Sequence, residues 1–222
     1  MLKNYPLPCN FTITAHTGCE DTPDNTVESI IKACNSGADI FEVDVQFDNN
    51  GIPVLSHDDI IGGEVTMEEA FVIMNEYTSM KCNIDIKKIT NMKIIPEIAK
   101  KYNVLDRVFY TGINTDFVEG AKATPEIQYY LNYEIEPIEN HSPEYYNNLI
   151  NIIKDNGAIG INCHHKNVTE ELINVCHNNK LLVSVWTCDD KADVMRIAKM
   201  NPDNITTRKP GYVKELLYKL TD

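Results

Sequence analysis

Short runs of β-forming residues alternate along the whole chain with segments in which apolar residues recur every three or four positions. The first kind of run favours a strand and the second an amphipathic helix. Alternation of the two predicts parallel strands joined by crossover helices. Eight runs are predicted as strands, at residues 11–16, 39–45, 82–87, 107–112, 127–133, 158–163, 181–186 and 204–207.

Eight such units are the number that closes a (β/α)8 barrel of about 200 residues or more. The rival architecture is a doubly wound open sheet, but neither GxGxxG nor GxxxxGK[ST] follows the first run. No linker or low-complexity segment divides the chain. We therefore predict an α/β fold of the (β/α)8 TIM-barrel type, with residues 1–222 as a single domain.

Residues 44–58, DVQFDNNGIPVLSHD, depart from the alternation and predict an extra β-hairpin after the second strand, with Asn-Asn-Gly as its turn. The next helix is expected to start at Thr66, which forms a capping pair with Glu69. This spacing leaves room for a minimal capping insertion only. The pocket should therefore be shallow and wet.

Two further helix starts are predicted from capping patterns. Asn25 with Glu28 opens the first helix, which Gly37 ends, and Ser142 followed by Pro143 opens a later one.

The charge balance limits the kind of partner. The chain has 20 basic and 33 acidic residues, a formal net charge of −13. This charge repels nucleic acid and anionic membranes, so we expect no nucleic acid and no stable membrane association. An anionic partner must be small and must meet local positive charge. The sequence does not specify an oligomeric state.

The seven cysteines form no CxxC pair, and the N-terminal MLKNYPLPCNFTITAH has no signal-peptide pattern. We expect reduced thiols and a cytoplasmic location.

Charged pairs occur near the ends of two predicted strands. Glu42 and Asp44 are two residues apart and share one face, and so do Asp85 and Lys87. In a parallel barrel the C-terminal strand ends form the active face. Adjacent carboxylates repel unless a cation lies between them, and oxygen ligands favour Mg²⁺, Ca²⁺ or Mn²⁺. The alternative is a solvated edge strand with its acids facing out.

His16 and His57 each end a strand-like run. A histidine titrates near neutral pH, so a pair flanking a carboxylate cluster can serve as acid and base across one reacting centre. The alternative is that both are structural residues with satisfied hydrogen bonds.

These residues fall into an ordered set of motifs, which also continues through GINCHHKNVTEELI, VSVWTCDD and NITTRKP. The set resembles the glycerophosphodiester phosphodiesterase family, which shows H-R-G, P-E-N-T, E-x-D, H-D and E-x-K in this order. The corresponding stretches here are HTG at 16–18, PDNT at 23–26, EVD at 42–44, HD at 57–58 and DIK at 85–87.

The resemblance implies a metal-dependent hydrolase that cleaves glycerophosphodiesters to glycerol 3-phosphate and an alcohol. It implies one divalent cation, Mg²⁺ or Ca²⁺ with Mn²⁺ as a further candidate, and a small anionic phosphodiester as substrate. By the same resemblance Glu42, Asp44 and Asp85 hold the cation, His16 and His57 are the acid/base pair, and Lys87 and Trp186 contact the substrate. Thr17 and Asn25, within the HTG and PDNT stretches, are further substrate-binding candidates. Strand alternation makes His164, at the end of the sixth strand, another candidate, with a structural role at the rim as its alternative. Two alternatives stay open: a related enzyme for another small phosphodiester or a lysophospholipid, and a non-catalytic ligand-binding barrel.

Two departures from the family pattern bear on the site. Thr17 stands where the family has an arginine that grips phosphate. Because barrel closure brings the eighth strand beside the first, Arg208 is a candidate substitute, and a surface role is its alternative. Asp85 is one methylene shorter than the family's glutamate, which predicts weaker cation affinity.

Overall fold

Eight parallel strands close into a barrel in the computed structural model of the protein, which describes residues 10–221. One further strand, the third along the chain, pairs antiparallel with the second strand and lies outside the closed ring. Each barrel strand pairs in parallel with two neighbours, and the last strand pairs with the first to complete the closure. The strands are β1 (Thr12–Ala15), β2 (Ile40–Phe47), β3 (Pro53–Leu55), β4 (Lys81–Ile86), β5 (Val108–Ile113), β6 (Tyr129–Asn132), β7 (Gly160–His164), β8 (Leu182–Trp186) and β9 (Asn204–Thr207).

A helix follows each barrel strand or, for β2, its hairpin. The (β/α)8 prediction is therefore confirmed, and every predicted strand overlaps an observed one. None of the helices of residues 10–221 combines the length and the apolar character that crossing a membrane requires. The helices are α1 (Val27–Asn35), α2 (Met67–Asn75), α3 (Ile94–Lys101), α4 (Val118–Lys122), α5 (Pro143–Asn156), α6 (Glu170–Asn178), α7 (Lys191–Ala198) and α8 (Pro210–Thr221).

Alternation along β2 separates the hydrophobic core from the barrel interior. Phe41, Val43 and Val45 are at most 1% exposed and belong to the hydrophobic core cluster. Glu42 and Asp44, on the opposite face, are also buried. The strand lies between β1 and β4. The edge-strand alternative, in which the acids face solvent, is therefore wrong.

The predicted hairpin is present. Val45 of β2 pairs with Leu55 of β3, and the turn between the strands is closed by a hydrogen bond from Gly51 N to Asp48 O at 3.0 Å. Helix α2 then begins directly after Thr66. No helix or strand intervenes between β3 and Thr66, as expected for a minimal capping insertion.

The helix caps follow the predictions in two of three cases. The Thr66 and Glu69 capping box is formed, and the Ser142 side chain accepts a hydrogen bond from Tyr145 N. The prediction of Asn25 as the cap of α1 is wrong, because Thr26 caps that helix. Asn25 is drawn into the site instead, as described below.

Candidate active site

Three carboxylates converge at the C-terminal end of two neighbouring barrel strands. Glu42 and Asp44 come from β2, and Asp85 comes from β4, in register with Asp44. One oxygen of each lies within 4.8 Å of one oxygen of each of the others. Their side chains are 5%, 4% and 15% exposed. Water therefore screens their mutual repulsion poorly.

Burial and like charge together disfavour ionisation of Glu42. Burial raises the pKa of Glu42 well above its usual range, and the neighbouring Asp44 and Asp85 raise it further. One hydrogen bond opposes the shift, from Thr17 N to Glu42 Oε2 at 2.8 Å. The three acids form an oxygen-only donor set, which suits a hard divalent cation.

Lys87 supplies positive charge within the cluster. Its Nζ lies 2.9 Å from Asp44 Oδ1 and 2.5 Å from Asp85 Oδ2. Burial alone would lower the pKa of Lys87, but the two carboxylates outweigh it and the net pKa is raised. One ammonium faces three buried acids, so the cluster keeps an excess of negative charge that a divalent cation would neutralise.

Asn25 fixes the orientation of Asp44 through two reciprocal hydrogen bonds. Its Nδ2 donates to Asp44 Oδ2 at 2.8 Å, and Asp44 N donates to its Oδ1 at 3.0 Å. The Asn25 backbone is left-handed, with φ 57°, and its N–H donates to Thr17 Oγ1 at 2.6 Å. Thr17 is 2% exposed. Asn25 is not among the residues that line the pocket.

Strand β5 approaches Asp85 closely. Thr111 Oγ1 lies within hydrogen-bond distance of both Asp85 Oδ1, at 2.9 Å, and Asn83 Oδ1, at 2.7 Å. The next residue, Gly112, has φ +74°, and a Cβ there would lie 2.6 Å from Asp85 Oδ1. A residue with a side chain at position 112 would therefore displace this carboxylate.

Both predicted histidines lie at the pocket, and each is held through Nδ1. His16 Nδ1 lies 2.8 Å from Thr17 O and 3.7 Å from Glu42 Oε2. His57 Nδ1 lies 2.9 Å from Asp58 Oδ1. A carbonyl or carboxylate oxygen accepts, so Nδ1 carries the proton and Nε2 of the neutral ring is the basic atom. The His16 side chain is 22% exposed and that of His57 is 63% exposed.

The acids and both histidines line one pocket of about 410 Å³ at the barrel mouth. Apart from Trp186, its lining is polar or charged. Trp186 Nε1 is buried and has no hydrogen-bond partner within residues 10–221, and the His164 ring packs edge-on against the indole at 5.2 Å. His164 itself is not among the lining residues. The complete lining is His16, Thr17, Asp24, Glu42, Asp44, His57, Asp58, Asn83, Asp85, Lys87, Thr111, Asn132, Asn162, Trp186, Thr206 and Arg208.

Arg208 lies at the same pocket, directly after β9, which pairs with β1. Its backbone N–H donates to Asp189 Oδ1 at 2.7 Å. Its guanidinium makes no hydrogen bond or ion pair with any residue of the range 10–221. The other two arginines are engaged elsewhere: Arg107 donates to carbonyls after α2, and Arg196 binds His165 and Asp193.

Sequence reasoning missed several polar residues of the barrel interior. Asn83 lies two residues before Asp85 on the same strand, so the spacing that identified the acids could have identified it too. Thr111 and Asn162 have no comparable signal, because each becomes part of the site only through strand pairing. Asn132, at the end of β6, lines the pocket, whereas Glu134, two residues later, does not.

A second cavity, of about 660 Å³, lies beside the hairpin and is lined by residues that include Phe47 and Ile61. None of the three acids of the cluster lines it, and neither histidine does. The chemistry described above belongs to the barrel mouth.

Comparison with known proteins gives one consistent family. Residues 16–67 match the model of the glycerophosphoryl diester phosphodiesterase family. A glycerophosphodiester phosphodiesterase from Caldanaerobacter subterraneus subsp. tengcongensis is 23% identical, over 93% of this chain and 98% of the relative. The fold is similar to that of a glycerophosphodiester phosphodiesterase from Parabacteroides distasonis, with TM-score 0.77, 19% identity, and 95% and 98% of the two chains covered. It is also similar to an Oleispira antarctica phosphodiesterase in complex with the product sn-glycerol-3-phosphate, with TM-score 0.75, 19% identity, and 96% and 97% covered.

Proposed function

Since the chain belongs to the glycerophosphodiester phosphodiesterase family of phosphoric diester hydrolases, we propose that it cleaves glycerophosphodiesters to glycerol 3-phosphate and an alcohol. The observation that carries this proposal is the joint presence of a buried three-carboxylate cluster and two histidines in one polar pocket. The negative charge of the protein agrees with a small substrate rather than a polyanion.

Glu42, Asp44 and Asp85 would hold one divalent cation, Mg²⁺ or Ca²⁺ by their oxygen chemistry. The fit is supported by the convergence of the three carboxylates and by the raised pKa of Glu42, which burial and then the neighbouring Asp44 and Asp85 cause. When bound, a cation of this kind would stabilise the charge that develops on the phosphoryl oxygens. Asp85, shorter than a glutamate, is expected to make the affinity lower than in relatives with the longer side chain.

His16 and His57 would move the protons of the reaction. One histidine accepts, on its Nε2, the proton that the nucleophile loses, and the other donates a proton to the departing alkoxide. Their Nδ1 contacts support these roles, since each contact orients the ring and leaves Nε2 for the reaction.

Lys87 and Arg208 would contact the phosphoryl group as cations, and Trp186 would pack against the substrate. Thr17 has no guanidinium to offer, and its hydroxyl is engaged by Asn25 N. The Arg208 guanidinium lies at the same pocket and pairs with no side chain of the described residues, which supports its part in anion binding. Asn25 and His164 are proposed to act indirectly, through Asp44 and Trp186.

The lining of the pocket favours small, water-soluble diesters over lysophospholipids. An acyl chain needs a continuous apolar surface, and Trp186 alone offers one among the lining residues. The exposed His57 and the short connection to α2 leave the mouth open. We therefore expect several head groups to be accepted.

Turnover of a panel of glycerophosphodiesters tests this function directly. We expect release of glycerol 3-phosphate from glycerophosphocholine, glycerophosphoethanolamine or glycerophosphoglycerol with Mg²⁺ or Ca²⁺, and loss of that release with a chelator. Turnover that persists unchanged in chelator would contradict the cation proposal. Absence of turnover on every diester, together with diester binding, would favour the ligand-binding barrel.

The Asn25→Gly variant tests how far Asn25 orients the cation ligand Asp44. Glycine accepts the left-handed backbone of position 25, so the substitution removes the two side-chain hydrogen bonds without adding backbone strain. We expect Ca²⁺ affinity, measured by calorimetric titration, to fall about 10- to 100-fold. The matched control is Asn103→Gly, at an exposed asparagine with φ 56°, which should leave the affinity unchanged. Equal affinities in the two variants would contradict the role of Asn25.

A further inference from the structure

Gln46 is a buried polar residue that the proposed chemistry does not use. It lies on β2, two residues after Asp44, and is 3% exposed. Its Nε2 lies within hydrogen-bond distance of three successive backbone carbonyls, those of Ser56 at 3.2 Å, His57 at 2.9 Å and Asp58 at 2.5 Å. One amide group thus binds the backbone on both sides of a histidine of the site.

The backbone around His57 has little other support. The ladder between β2 and β3 ends at Leu55, and Ser56 N still donates to Asp44 O at 3.0 Å. Within residues 10–221, no hydrogen bond joins the backbone of residues 57–60 to another backbone group. Ser56 Oγ also donates to Asp58 O at 3.0 Å, but from within the same loop. Among the described residues, the hydrogen bonds from Gln46 are therefore those that join the backbone of residues 57 and 58 directly to a barrel strand.

The His57 side chain adds no anchor of its own. Its Nδ1 contact is to Asp58, the next residue in the same loop, and both side chains are exposed. Such a contact orients the ring relative to the loop but does not fix the loop relative to the acid cluster. The position of His57 in the pocket therefore depends on Gln46.

From this geometry we propose that Gln46 is a positioning residue, which holds the His57 loop at the pocket by donating its two amide N–H groups to the carbonyls of Ser56, His57 and Asp58, with one N–H shared between two of them. The inference rests on the proposed role of His57 in the hydrolysis. Glutamine suits this task for two reasons. Its amide group donates two hydrogen bonds, and it is uncharged, so it does not form an ion pair with the nearby carboxylates in place of the carbonyls. The Gln46 Oε1, buried and without a partner in the described residues, shows that the donor end determines how the side chain is placed.

The Gln46→Met variant removes the donor and keeps the length of the side chain. We expect kcat to fall about 10- to 100-fold, because a displacement of about 1 Å of a catalytic group costs up to that factor. KM and Ca²⁺ affinity should stay near those of the parent protein. The matched control is Gln128→Met, the same substitution at an exposed glutamine after α4, which should change none of these quantities.

A double-mutant cycle distinguishes action through His57 from a general structural effect. If Gln46 acts through His57, adding Gln46→Met to His57→Ala lowers kcat no further than His57→Ala alone. Multiplicative losses, an unchanged kcat in the single variant, or a loss of Ca²⁺ affinity would each overturn the proposal.

A measurement independent of turnover separates this inference from the proposed function. In protein with ¹³C-labelled histidine, Gln46→Met should shift or broaden the ring resonance of His57 and leave that of His16 unchanged. If the parent protein cleaves no diester, the proposed function fails, and this spectrum still decides the role of Gln46. An unaltered His57 resonance would overturn it.

Discussion

Glu42→Gln is expected to abolish cation-dependent turnover and, in chelator, to stabilise the protein against unfolding. Glutamine has nearly the same shape as glutamate, and its carbonyl oxygen can still accept the hydrogen bond from Thr17 N. The substitution removes a buried carboxyl group whose ionised form is destabilised by burial and by the neighbouring Asp44 and Asp85. It therefore removes a cation ligand and relieves a repulsion at the same time.

Glu42→Gln is expected to lower the turnover and to raise the stability in chelator, a combination that general damage to the fold would not produce. A catalytic cation contributes several kcal/mol of transition-state stabilisation. Since 1.36 kcal/mol corresponds to a tenfold change in rate, we expect turnover with Mg²⁺ to fall about 10³-fold or more. In chelator, we expect the midpoint of thermal unfolding to lie above that of the parent protein.

Cation-induced stabilisation gives the second readout of the same variant. Mg²⁺ or Ca²⁺ should raise the unfolding midpoint of the parent protein, because an ion that binds only the folded state stabilises it. The midpoint of Glu42→Gln should no longer respond. Glu119→Gln, at a glutamate that is 85% exposed, is the matched control and should respond like the parent. A Glu42→Gln protein that is less stable in chelator would contradict the account of a repulsive cluster.

The fold was predictable because its signals are local and repeated. Each strand is a short β-forming run between helical patterns, and overlap of the predicted and observed strands follows from that periodicity. The hairpin after β2 was marked by Asn-Asn-Gly, and α2 by Thr66 with Glu69. Signals of this kind depend on neighbours within a few residues, so they survive in a divergent chain.

The wrong cap at α1 has a tertiary cause. Asn25 and Thr26 are both residue types that cap helices, and the sequence around them does not indicate which one caps α1. Two hydrogen bonds between Asn25 and the distant Asp44 decide the choice, since they draw the Asn25 side chain into the barrel and leave Thr26 to cap the helix.

The candidate site was predictable where its residues share a strand, and not where they meet across strands. Two-residue spacing brought Glu42 and Asp44 to one face, and the same spacing extends to Gln46. The partners of Gln46 cannot be recognised in the sequence, because they are main-chain carbonyls of the loop after β3. Every residue has such a carbonyl, so the residue type gives no signal.

Substitution of either histidine is expected to abolish most of the turnover and to leave the cation site intact. His16→Ala and His57→Ala each remove one proton-transfer group, which contributes about 10²- to 10⁴-fold to the rate. Neither side chain belongs to the carboxylate cluster, so both variants should still bind Ca²⁺. The affinity of His57→Ala should match that of the parent protein, and that of His16→Ala should change by a small factor, because His16 Nδ1 lies 3.7 Å from Glu42 Oε2. His141→Ala is the matched control, since His141 contacts Tyr146 and lies outside the pocket.

The nature of the leaving group should separate the two histidines. A p-nitrophenyl diester releases a weakly basic phenolate, which departs without being protonated, whereas glycerophosphocholine releases a strongly basic alkoxide. The variant that lacks the general acid should therefore recover most of its rate on the p-nitrophenyl substrate. The variant that lacks the general base should remain slow on both substrates, because activation of the nucleophile does not depend on the leaving group. Equal recovery of both variants, or of neither, would contradict a division of the two roles between His16 and His57.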